Sequence, residues 1–180
     1  MCGIAGLYTK SDSLRPELGA LLAGMLEQLI FRGPDSAGVA FYREPAPAGS
    51  CKLSLHSAAD DPGWEALGAE LGDVFGAASP PRVRASHAVF VVEADAPAVQ
   101  AWLGAEHPEL TLMSAGSSIE IFKAAGSPID FVERFRISEI DGSHARRRLR
   151  LGPPADEFRI DGAGARRQRE RRVRPDPPRL

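Results

Sequence analysis

From Cys2 to Tyr8 the chain is apolar apart from Gly3 and Gly6, a pattern that predicts a buried strand with room for close neighbours. Ser13 reads as an N-cap. Leu18, Leu21, Leu22, Met25, Leu26 and Leu29 follow at helical spacing and predict an amphipathic helix over 14–30. Arg32-Gly33-Pro34-Asp35-Ser36 is dense in turn formers, and Ala37 to Arg43 predicts a second strand.

Beyond the Pro/Ala-rich connector Glu44–Gly49, Cys51, Leu53 and Leu55 alternate with Lys52, Ser54 and His56. That alternation predicts a half-buried strand over 51–57. Trp64, Leu67, Leu71 and Val74 return to helical spacing. A strand over 88–93, a helix over 96–104, strands near 109–113 and 118–123, and a helix over 129–135 complete the pattern. Gly76 to Pro81 reads as a loop, and Trp64 and Trp102 read as core. The order over 50–136 predicts a small α/β subdomain inserted after the opening strand–helix–strand unit.

The pattern fails after His144. Residues 1–144 carry 10 basic and 19 acidic side chains, whereas residues 145–180 carry 12 arginines and 5 acids. The net charge of −2 therefore describes neither part. With one aromatic residue and five prolines, the tail predicts disorder, since it cannot bury enough apolar area to offset chain entropy.

A length of 180 residues suits about one domain. Two cysteines cannot make a disulfide framework, which points to a reducing compartment, the cytoplasm. The longest apolar run falls short of the roughly 18 residues of a membrane span, and the start lacks the order of a signal peptide. His56, His87, His107 and His144 are scattered, so no metal site is expected. No phosphate-cradling glycine loop occurs, and no cofactor is expected.

Cys2 directly follows Met1, so removal of the methionine places a thiol and a free α-amine on one residue. An α-amine with an ordinary pKa of roughly 7.7–8.0 can take the thiol proton and activate the nucleophile without a histidine. Alone, a cysteine at position 2 is more often an ordinary small residue than a nucleophile. Cys51 reads as a small apolar residue on a strand face.

Two motifs decide between these readings. Met1-Cys2-Gly3-Ile4-Ala5-Gly6-Leu7, followed by Arg32-Gly33-Pro34-Asp35-Ser36-Ala37-Gly38, closely resembles the class II glutamine amidotransferases, which are N-terminal-nucleophile hydrolases. The resemblance covers residues 1–43. It implies an α/β (α+β) chain built as a four-layer αββα sandwich, with Cys2 as nucleophile and Arg32 and Gly33 lining its pocket. Asp35, Ser36 and Gly38 would shape the turn. The substrate would be glutamine, and the ammonia would pass to a synthase partner.

The segment 44–144 ends in Gly142-Ser143-His144-Ala145 and resembles the separate glutaminase subunits of glutamate-synthase-like complexes, such as N-methylglutamate synthase. There a GTHG-like element leads into a GHTR motif. The family supplies oxyanion donors from an Asn-Gly pair and binds the glutamine carboxylate through the GHTR arginine. This chain contains no Asn, and Arg146–Arg148 do not match GHTR. The expected organisation is therefore an incomplete amidotransferase: 1–43 from the catalytic domain, 44–144 inserted, and 145–180 a basic tail, disordered or read from a shifted frame. Activity is expected to be impaired. The competing readings are a non-catalytic subunit docking on a synthase and a tail that binds RNA or anionic surfaces through phosphate contacts. With only Phe158 for stacking, nucleic acid is the weaker choice.

Overall fold

The computed structural model describes residues 4–32, 35–60 and 62–150. It is an α+β structure of two antiparallel four-stranded sheets and four α-helices. The strands are β1 (Ile4–Tyr8), β2 (Ser36–Tyr42), β3 (Cys51–His56), β4 (Ala77–Arg84), β5 (His87–Val92), β6 (Thr111–Gly116), β7 (Ile119–Ala125) and β8 (His144–Arg150). The helices are α1 (Leu18–Glu27), α2 (Trp64–Phe75), α3 (Ala96–Glu106) and α4 (Pro128–Arg134). The first sheet has the order β1-β8-β2-β7, and the second β4-β5-β3-β6.

Helix α1 is shorter than its leucine spacing predicts. Pro16 lies in a 3-10 turn over Asp12–Glu17, and a second such turn covers Ile30–Arg32. Proline removes a backbone donor and resists the α-helical interior, so the regular helix begins only at Leu18. Ser13 is not an N-cap: it lies inside the first turn and its hydroxyl meets that of Ser11. Helices α3 and α4 start on side-chain caps, Asp95 accepting from the Ala98 amide and Ser127 from those of Ile129 and Asp130.

Leu18, Leu22 and Leu26 of α1 pack with Phe131 and Phe135 against Ala37, Val39, Phe41, Phe122 and Ala145 of the first sheet. Gly19 lets α1 approach the turn at Ile137–Glu139, where a side chain would overlap the Ile137 and Ile140 carbonyl oxygens. The second core joins Leu53, Leu55, Phe90 and Val92 to Trp64, Leu67 and Leu71 of α2 and to Val99 and Leu103 of α3.

Four sequence expectations change here. Residues 77–84 form β4 rather than a loop, because β4 is an edge strand, where Pro80 and Pro81 cost no ladder bond and appear as register shifts. Residues 145–150, expected to open a disordered tail, continue β8, whose backbone pairs with β1 on one side and β2 on the other. The expectation for 151–180 lies outside the described residues. Strand β3 is buried on both faces, not half-buried. Strand β1 forms as expected but is not buried, with Ile4 71% and Tyr8 65% exposed.

The polar face of β3 explains its burial. The amides of Ile121 and Lys123 lie on the edge of β7 away from β2, and the Ser54 hydroxyl and His87 Nε2 accept from them at 3.1 and 3.4 Å. Side chains of the second sheet thus terminate an edge of the first.

Candidate functional site

Strands β1 and β2 run in the same direction, both antiparallel to the β8 between them. Ile4 and Gly38 face the same residue, Arg148, from opposite sides. The first residues of β1 and β2 therefore share one end of the sheet, two strand spacings or roughly 10 Å apart. Cys2 and Gly33 lie outside the described residues, as do Gly3 and Pro34. Each immediately precedes this end in the chain. Arg32 closes the 3-10 turn leading into it.

Asp35 is exposed, and its carbonyl accepts from the Gly126 amide at 2.9 Å, tying the turn to the end of β7. Ser36 is buried as the first residue of β2. Gly38 is held by close packing, since an added Cβ would lie 3.3 Å from Lys123 Cγ and 3.4 Å from the Phe122 carbonyl oxygen. Asp35 thus precedes the strand, while Ser36 and Gly38 lie within β2 itself. Gly6 is under no such pressure, its nearest neighbour being 3.9 Å away.

Gly142-Ser143-His144 clamps the opposite end of the sheet. Thr9 donates its amide and hydroxyl to the Ser143 carbonyl, while the Ser143 amide and hydroxyl reach the Tyr42 carbonyl. The His144 ring stacks on Tyr42 at 3.9 Å. In sequence this element marks the end of the 44–144 segment; in the structure it joins the ends of β1 and β2 at Tyr8 and Tyr42.

Cys51 is buried among the apolar residues of the second core, and burial, helped by Asp95, raises its thiol pKa. That thiol is poorly placed to ionise. His87 is fully buried, and desolvation, with smaller effects from His56 and Arg134, pushes its pKa down to about 3. It is a neutral acceptor in the sheet junction. Among the described residues, no three His, Cys, Asp or Glu side chains gather as a metal site requires. No helix there is long and apolar enough to cross a membrane.

Sequence reading missed a charged cluster beyond the end of β2. Glu120 is 2% exposed and accepts from Lys52 Nζ at 3.0 Å and Arg82 Nη2 at 2.6 Å, with Arg43 Nη1 at 3.5 Å. Arg43 also pairs with Asp141. Its members come from five separate strands and connections, so no local motif announces them.

The chain is 40% identical over 166 residues, 92% of its length, to glutamine amidotransferase-like protein GlxB of Rhizobium meliloti (strain 1021). This likeness supports a glutamine amidotransferase family. The chain spans about half of that relative, 54% of its length. No family model matches the chain. The amidotransferase likeness runs well past the two opening motifs, because 166 matched residues must include most of the second sheet.

Proposed function

We propose that this chain is the nucleophile-bearing part of a class II glutamine amidotransferase. The observation that supports the reading is that β1 and β2, the strands that follow Cys2 and Gly33 in the chain, begin at the same end of the first sheet. The 40% identity to an amidotransferase-like protein supports the same reading. The first sheet, covered by α1 and α4 on one face, would be one inner layer of an αββα sandwich, its other face carrying Tyr8, Tyr42 and His144.

In this reading the α-amine of Cys2 takes the thiol proton, and the sulfur attacks the side-chain carbonyl carbon of glutamine. The carbon–nitrogen bond breaks, the nitrogen leaves as ammonia with that proton, and a glutamyl thioester remains. Water then cleaves the thioester, releasing glutamate and restoring the thiol. Arg32 and Gly33 would line the pocket, and a separate synthase subunit would receive the ammonia.

A negative charge builds on the attacked oxygen, and each lost donor to it costs about 10²–10³ in rate. With no Asn in its 180 residues, this chain should turn over slowly by itself. Purified protein is expected to release ammonia from glutamine slowly and in a Cys2-dependent manner. Equal rates for the protein and its Cys2→Ala variant would reject catalysis by this chain.

A further inference from the structure

A cleft of about 460 Å³ opens between β4, β7 and the turn that follows α4, beyond the Tyr42 end of β2. Its volume falls within the roughly 300–1,000 Å³ of small-molecule sites. Five guanidinium groups line it: Arg43, Arg82, Arg84, Arg134 and Arg136. Only Glu120 and Glu139 oppose them in the lining, which leaves a surplus of three positive charges. Just outside, Lys52 and Asp141 offset one another.

The floor of the cleft is organised by bonds already made. Arg84 Nη1 donates to the Phe135 and Arg136 carbonyls at 3.0 Å each, fastening β4 to the turn after α4. Its pKa is lowered by burial first and by the Arg43 charge next, with Arg82 adding less, while Glu139 and Glu120 oppose the shift. An anion in the cleft relieves the repulsion between these arginines.

The rim is different. Arg134 lies over the Phe135 ring, 5.3 Å from its centroid, and neither Arg134 nor Arg136 has an ion-pair partner among the described residues. Both are exposed. The two non-glycine residues with left-handed backbone among the described residues, Ala85 and Arg136, each at φ 49°, both line this cleft. Such conformations cost about 1–3 kcal/mol and concentrate at ligand sites.

We propose that this cleft binds a small molecule through a diphosphate group. Guanidinium forks match phosphate oxygens in pairs of parallel bonds. A diphosphate carries about three negative charges near neutrality, which equals the surplus in the lining. Arg134 and Arg136 grip the anion from the rim, and Arg84 meets it from the floor. The site is independent of the amidotransferase reading, since it shares none of the nucleophile's residues.

Calorimetric titration of the full chain with inorganic pyrophosphate, orthophosphate or succinate, at fixed ionic strength and without divalent cations, tests the site. Pyrophosphate should bind with one-to-one stoichiometry and at least about tenfold more tightly than the other two, each tenfold being about 1.4 kcal/mol. The double variant Arg134→Gln/Arg136→Gln should weaken it at least about tenfold while keeping its far-UV spectrum. The double variant Arg171→Gln/Arg172→Gln, in the arginine-rich tail, should bind as the parent does. Absence of pyrophosphate binding, equal affinity for orthophosphate, equal binding by the rim variant, or loss of binding in the tail variant would each overturn the proposal.

Discussion

Strands β3 and β5 are buried along nearly every position, whereas β1 alternates between half-buried and exposed. Both belong to four-stranded antiparallel sheets, and both are rich in apolar residues. The difference lies in what covers them. The second sheet has α2 and α3 on one face, while its other face meets β7 and the first core through Ser54, His87 and Val89. The first sheet has α1 and α4 on one face and an aromatic row on the other, Tyr8 and Tyr42 flanking His144. An apolar strand sequence thus reports the capacity for burial, and only the neighbouring layers decide whether burial occurs.

This contrast can be tested from its strongest element downward. Leu53 is wholly buried in the second core, so Leu53→Ala should cost about 2–5 kcal/mol through lost transfer energy and the cavity left behind. Denaturant unfolding gives the value; a cost below about 1 kcal/mol would mean that the second sheet is loosely packed.

The sheet junction should respond to acid. His87 has a folded pKa of about 3 against an ordinary value of 6.5, so the unfolded chain binds its proton first. The contribution is fully present above pH 6.5 and is lost as pH falls through the window between 6.5 and 3. Between pH 7 and pH 5 it should remove about 2 kcal/mol of stability. His87→Gln should flatten that part of the profile, and an unchanged slope would place the acid sensitivity elsewhere. The smallest effect belongs to the open face: Tyr8 is 65% exposed, and Tyr8→Ser should shift stability by no more than about 0.5 kcal/mol. A loss as large as that of Leu53→Ala would show that this face is covered in solution.

Helical spacing in Trp64–Val74 is legible as α2 because that helix buries a repeating face in the second core, whereas alternation in Cys51–His56 locates β3 without revealing that its polar face is buried too. Strand β4 escaped such reading because its prolines look like loop residues until its edge position is known. Strand β8 escaped because Arg146, Arg147 and Arg148 show no apolar alternation; backbone pairing on both sides holds it. The Met1–Leu7 and Arg32–Gly38 motifs were visible in the sequence, whereas the common direction of β1 and β2 depends on β8 lying between those two strands. The arginine cleft was invisible in the sequence, since Arg43, Arg82, Arg84, Arg134 and Arg136 meet only after two sheets and a helix are assembled.

In the proposed reading Cys2, and not Cys51, is the nucleophile toward glutamine. Burial raises the Cys51 thiol and leaves it 5% exposed, so only Cys2 should react with an electrophile shaped like the substrate. The direct measurement is peptide mapping by mass spectrometry after treatment with a glutamine analogue bearing an electrophilic carbon in place of its side-chain amide. A single adduct on Cys2, with Met1 removed, is expected, with slower labelling when glutamine is present. An adduct on Cys51, or no adduct on Cys2, would contradict the reading.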